Sequence, residues 1–175
     1  MVRKSKHQPL NRLRWLLPTE LQPGAPKPSE VRHGGWFVCD YNGTPRWTNG
    51  ATLHLQDRKP LVRLYSKDVL KRPQSDASRV TIPANPQPLK LVGICEGPHY
   101  RAALFTRPDG RIVQIAEAYV RYWRRLGAVE FVGAVDIYAP IGVQLDGQPV
   151  GLVMGLSPDP RLKTVDDLRR YLPVT

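Results

Sequence analysis

Cysteine is scarce in this sequence, with Cys39 and Cys95 the only two among 175 residues. That excludes a disulfide-stapled scaffold, and both sit in apolar, strand-like surroundings where a small reduced thiol packs well. Long apolar runs are missing too. No stretch approaches the roughly 18 residues needed to cross a bilayer as a helix, and the basic start Met1 to Lys6 leads into Gln8, Asn11 and Arg12 instead of an apolar signal core. A soluble, cytoplasmic protein is the expectation, with no membrane contact. Acidic residues are few, 15 Asp and Glu against 26 Lys and Arg, for a net charge of +11.

What the chain has in quantity is proline and glycine, 18 and 14 residues, interleaved with apolar runs that a disordered chain would lack. This composition predicts many short strands joined by turns. The length fits one domain of ordinary size. The charge is lopsided: residues 1–90 hold 16 Lys and Arg against 6 Asp and Glu, whereas residues 91–175 hold 10 against 9. Such asymmetry points to a polyanionic partner, nucleic acid first, because each neutralised phosphate releases condensed counterions. The alternative is charge kept only for solubility. Arginine outnumbers lysine 18 to 8, which suits forked contacts to phosphate but also follows from a GC-rich genome.

Residues 1–30 read as an N-terminal arm. Met1 to His7 is polar and basic, Asn11 to Leu21 has Leu13, Trp15, Leu16, Leu17 and Leu21 near helical spacing, and Gln22 to Glu30 is a Pro-rich linker. Residues 31–175 read as a single α+β domain, mostly antiparallel sheet with two or three short helices. Trp36 to Tyr41 is a strand ending at the turn pair Asn42-Gly43, and a second pair, Asn49-Gly50, precedes Ala51 to Gln56, so this region is a β-meander. Leu61 to Leu64 adds a candidate strand and Lys67 to Arg72 a turn of helix; Val80 to Pro83 and Leu89 to Cys95 bracket a Pro-rich connection.

Further on, Arg101 to Thr106 and Arg111 to Ile115 flank Pro108-Asp109-Gly110 as a hairpin. Ala116 to Leu126 then reads as an amphipathic helix, with Ile115, Tyr119, Tyr122 and Leu126 on the apolar side and Glu117, Arg121, Arg124 and Arg125 on the polar one. Strands are predicted at Val129 to Val135, Ile141 to Leu145 and Val150 to Met154, the last two joined by Asp146-Gly147. A closing helix starts at Thr164, whose partner three residues on is Asp167.

The order hairpin, helix, three strands, running from Gly110-Arg111-Ile112-Val113 through Tyr119 and Asp136 to Pro140 to Pro149-Val150-Gly151-Leu152-Val153-Met154, resembles a module of bacterial sliding clamps, the ring-shaped processivity factors of DNA replication. The resemblance covers about residues 101–156. Thr48-Asn49-Gly50 resembles that family's turn between early strands, so Gly35 to Gln56 would be a companion module. It implies a clamp-like single domain from a phage or plasmid, with Arg121, Arg124 and Arg125 facing DNA. A full clamp subunit needs more modules than this chain has room for.

Three guanidinium groups within one turn of helix can follow adjacent phosphates without reading bases, which makes Arg121, Arg124 and Arg125 the leading candidates for nucleic-acid contact. Arg46-Trp47 and His99-Tyr100-Arg101 place an aromatic ring beside positive charge, an arrangement suited to stacking on unpaired bases or, equally, to packing at the edge of a core. Arg58, Lys59, Arg63, Lys67, Lys71 and Arg72 extend a basic surface through the middle of the chain. His33, Cys39, Cys95 and His99 have a permissive zinc spacing without the tight Cys-x-x-Cys knuckle, so no metal is expected. Phosphate-loop, nucleophile-elbow and His-Glu-x-x-His patterns are absent, and no cofactor or catalytic group is assigned. The expected role is therefore a non-enzymatic nucleic-acid-binding accessory protein, associated with DNA replication or a mobile element. Two alternatives stand beside it: a module binding a host replication or transcription component, and a small ribonuclease or zinc hydrolase using His7, His33, His54, His99 or Glu96.

Overall fold

The first hairpin forms where the sequence writes a turn. In the computed structural model Asn42 and Gly43 take left-handed backbone, φ 52° and 77°, as a two-residue loop matched to strand twist requires. The strands β2 (Phe37–Tyr41) and β3 (Thr44–Thr48) pair antiparallel on either side of it, and Asp40 Oδ1 accepts from the Gly43 N–H at 2.9 Å. The structure describes residues 14–16, 37–56, 80–96, 101–134, 136, 139–157 and 162–170.

Two antiparallel sheets result. The larger has seven strands in the order β2-β3-β4-β11-β10-β9-β5, where β4 is Thr52–His54, β5 Gln87–Pro88, β9 Glu130–Gly133, β10 Ile141–Leu145 and β11 Gln148–Val153. The smaller has the order β1-β6-β7-β8, from Arg14–Leu16, Lys90–Glu96, Arg101–Thr106 and Ile112–Ala116. Helices α1 (Glu117–Arg124) and α2 (Val165–Arg169) complete an α+β fold. No helix among the described residues is long and apolar enough to cross a membrane.

The predicted meander, hairpin and late strands are present, and α1 is shorter than Ala116 to Leu126. The N-terminal helix expected over Asn11 to Leu21 is corrected: Arg14–Leu16 is a strand on β6. Pro18 counts against a helix over this stretch, since proline cannot donate to a helix and disfavours helical backbone in the residue before it. The strand and helical turn expected over Leu61 to Leu64 and Lys67 to Arg72 lie outside the described residues.

Sheet faces follow the two-residue period. Ile94, Ala103, Phe105, Val113 and Ile115 of the small sheet meet Phe131, Ile141, Val143 and Val153 of the large one in the main core, where Phe105 and Phe131 rings lie 5.2 Å apart. The outer face of the small sheet, Ala102, Leu104 and Ile112, is covered by Leu162 and Leu168. Thr164 caps α2 there in a reciprocal capping box with Asp167. Cys39, Leu53 and Leu152 form the outer face of the large sheet.

Six of the eight α1 residues are buried, because the helix is wedged between the sheets and not laid on one. Glu117, expected on the polar stripe, is buried with its Oε2 3.1 Å from Arg101 Nε on β7. On the other side Tyr119, Tyr122 and Trp123 are clasped by the meander. Asn49 Oδ1 accepts from the N–H groups of Ala51 and Thr52, fixing the turn, while its Nδ2 donates to Tyr119 Oη at 3.1 Å. Trp123 Nε1 donates to Thr52 Oγ1 at 2.9 Å, and that hydroxyl donates to Leu152 O at 2.7 Å. His54 Nε2 and Tyr122 Oη share a hydrogen bond of 2.6 Å with His54 only 1% exposed. Gly151 lies under Trp123, where a Cβ would come within 2.2 Å of the indole.

Thr52→Val removes the hydroxyl and leaves a buried indole N–H unmet, so a loss of about 1–3 kcal/mol is expected in urea unfolding. Gly151→Ala forces the indole or the strand to move and should cost about 1–3 kcal/mol, seen as a lower Tm.

Candidate nucleic-acid interface

The last turn of α1 brings basic side chains together by spacing alone. Arg121 and Arg125 are four residues apart and Arg124 stands three beyond Arg121, so they share one side of the helix. Arg125, the C-cap residue, is exposed, whereas Arg121 and Arg124 are half-buried and each interacts with neighbouring groups. Three cations at a helix C-terminus sit where the macrodipole is negative, which favours them there. Burial pushes the Arg124 guanidinium pKa down from its usual value, yet arginine stays charged at neutral pH.

Arg124 also borders an open cleft of about 380 Å³ lined by Gly127, Ala128, Val129 and Glu130. Gly127 has φ 130°, a conformation that turns the chain sharply out of the helix. The cleft carries both signs of charge, from Arg124 and Glu130. A phosphate group is therefore favoured beside Arg124 and disfavoured beside Glu130.

The structure does not gather all the predicted residues. Arg46 and Trp47 are consecutive on β3 and so point to opposite faces. Arg46 faces the same way as Cys39, its partner in register, on the outer face of the large sheet, whereas Trp47 packs against the main core on the side of α1. Trp47 is thus largely a core residue, and Arg46 is separated from the α1 arginines by the sheet itself. Arg58, Lys59, Arg63, Lys67, Lys71, Arg72, His33, His99 and Tyr100 lie outside the described residues.

Most arginines elsewhere in the fold are met by acids. Arg101 pairs with Glu117, Arg107 and Arg111 lie within 4 Å of Asp109, Arg169 pairs with Asp166 at 2.9 Å, and Arg170 stands 3.9 Å from Asp167. Arg46, Lys90 and Arg125 make no ion pair among the described residues. The Arg101–Glu117 pairing was invisible to periodicity, since it joins a strand to a helix across a change of element. Lys90, exposed at the start of β6, gave no sequence signal either. The described residues hold twelve Lys and Arg against nine Asp and Glu, a net of +3 out of +11, and the other +8 belongs to residues outside them.

The two cysteines are on different sheets, Cys39 on β2 and Cys95 on β6. No cluster of three metal-ligating side chains occurs among the described residues. His54 is sealed in the α1 clasp, where it meets Tyr122 and Trp123 and not solvent. No protein-family model, curated protein sequence or solved structure matches this chain.

At Asp167 burial acts to raise the carboxyl pKa, but hydrogen bonds from the Thr164 N–H and hydroxyl and from the Lys163 N–H, with the charge of Arg170, outweigh it and hold it below the ordinary value. A lowered folded-state pKa means the cap is at full strength above the ordinary carboxylate value of about 4 and is lost as pH falls through the folded value. The amide signals of Lys163 and Thr164 should therefore titrate together in NMR, with a midpoint below that of a free aspartate, and Asp167→Asn should abolish the transition.

Proposed function

We propose that this protein is a non-enzymatic nucleic-acid-binding accessory factor that holds the sugar-phosphate backbone with little base selectivity, DNA before RNA. The observation that supports it most is the clustering of three arginines at the end of α1. The end of α1 presents Arg121, Arg124 and Arg125 in one turn, with Arg125 exposed and in no ion pair among the described residues. Phosphates attract such a cluster through counterion release, and guanidinium forks fit phosphate oxygens. The +8 charge contributed by the remaining sequence, including Arg58, Lys59, Arg63, Lys67, Lys71 and Arg72, adds a non-specific electrostatic component of the same sign. Association with replication, a clamp-like module in which the helix faces DNA, and an origin in a phage or plasmid are part of the same proposal. Their basis is the order of β7, β8, α1 and the late strands.

The test is fluorescence anisotropy with labelled duplex and single-stranded DNA over a salt series. Affinity should fall steeply with salt. The triple variant Arg121→Gln, Arg124→Gln, Arg125→Gln should bind more weakly, with a log-log slope on duplex shallower by up to about 3, roughly 0.9 for each phosphate left unneutralised. Arg46→Gln, on the other side of the sheet, should bind nearly as the parent. Unchanged affinity and slope in a triple variant with native circular dichroism would exclude α1 as the interface.

A further inference from the structure

The chain carries two Asn-Gly pairs, Asn42-Gly43 and Asn49-Gly50. Asparagine before glycine is open to attack from within the chain, because a residue without a Cβ leaves its own nitrogen unhindered and close to the preceding side-chain carbonyl carbon. The two glycines are alike. Both are exposed, with φ of 77° and 89°, and a Cβ on either would meet nothing within 4 Å. Each N–H donates to one side-chain oxygen, Gly43 to Asp40 Oδ1 at 2.9 Å and Gly50 to Thr48 Oγ1 at 3.0 Å.

The asparagines differ. Asn49 is 1% exposed, its Oδ1 accepts from the N–H groups of Ala51 and Thr52 at 3.0 Å each, and its Nδ2 donates to Tyr119 Oη at 3.1 Å. Attack on its Cγ requires the amide to turn out of that network and break these bonds, inside the clasp that holds α1. Asn42 is exposed at the tip of the β2–β3 hairpin. A hairpin tip opens locally at far lower cost than a buried network.

We propose that Asn42 is a site of spontaneous covalent modification and that the fold spares Asn49. Base removes the Gly43 N–H proton, the nitrogen attacks Asn42 Cγ, the new N–C bond closes a succinimide ring, and the side-chain nitrogen leaves as ammonia. Water then opens the ring. Cleavage at Cγ leaves aspartate, and cleavage at the main-chain carbonyl leaves isoaspartate, with the chain routed through Cβ and Cγ. The balance is one water in and one ammonia out. Either product adds a negative charge two residues from Asp40. Aspartate tolerates the left-handed φ of 52°, so that product keeps the hairpin. Isoaspartate adds a main-chain atom to a two-residue loop whose length sets the register of Tyr41 with Thr44, so that product loosens the turn end of the ladder. The reaction is independent of nucleic-acid binding.

The experiment holds the full-length protein in mildly alkaline buffer, digests samples at intervals and reads the peptides by mass spectrometry, with fragmentation that separates aspartate from isoaspartate. A parallel sample is unfolded in urea. In the folded protein residue 42 should convert at least about tenfold faster than residue 49, because attack at Asn49 must wait for a buried network to open. In urea the two should convert at similar rates, since each is then an asparagine before glycine in an open chain. Equal rates in the folded protein overturn the proposal, as does an amide that persists at 42 in the folded protein while the urea sample converts. A difference that survives unchanged in urea overturns it as well, because the neighbouring sequence and not the fold would then set it.

Discussion

The hydrogen bond from Trp123 Nε1 to Thr52 Oγ1, passed on to Leu152 O, ties α1 to the pair of strands at the centre of the large sheet. α1 follows β8 of the small sheet directly and must be held against the large one for the two to share a core. Apolar packing alone would let a helix slide or rotate between two sheets. Buried polar groups do not allow that, because each displaced partner would lose a hydrogen bond with no water to replace it. Asn49, Thr52 and His54 meet Tyr119, Trp123 and Tyr122 one to one, so a single helix orientation satisfies all of them. Gly151 completes the arrangement by leaving room for the indole.

That orientation decides where the positive charge goes. With Tyr119, Tyr122 and Trp123 turned inward, the helical period sends Arg121, Arg124 and Arg125 to the remaining side and to the helix end. The same geometry takes Glu117 into the interior beside Arg101, removing the one acid that would otherwise share the polar stripe. The basic turn is thus a by-product of how the aromatic residues are anchored. Arg46, on a different face, cannot join it without breaking the period of β3.

Much of this was readable in advance where local rules decide. Asn42-Gly43, Pro108-Asp109-Gly110 and Asp146-Gly147 mark turns because few other residue pairs tolerate their backbone angles, and Thr164 with Asp167 marks a helix start. The apolar side of α1 followed from spacing. What could not be read were relations between distant residues. Thr52 and His54 alternate with Leu53 and Leu55 as a half-exposed strand would, yet all of Thr52–His54 is buried because a helix from seventy residues later covers the polar side. Glu117 looked like a surface acid for the same reason. Near the N-terminus a helical spacing of leucines competed with Pro18, and over Arg14–Leu16 a strand formed. Arg46 and Trp47 illustrate the reverse error, since neighbours in sequence on a strand cannot share a surface.

The central pairing of β4 with β11 has a consequence for biosynthesis. On one side β4 meets β3 at Leu53 alone, and on the other residues 52–54 find their ladder partners at 151–153, about a hundred positions downstream. A nascent chain emerging from the ribosome at about 5–20 residues per second must therefore wait several seconds with the meander exposed and its hydroxyl, amide and imidazole groups solvated. The large sheet closes only once residues 151–153 have emerged. Premature termination before Gln148 would release a polypeptide without β11, with the edge of β4 uncovered and no Leu152 carbonyl for the Thr52 hydroxyl, a species suited to degradation or aggregation and not to partial function.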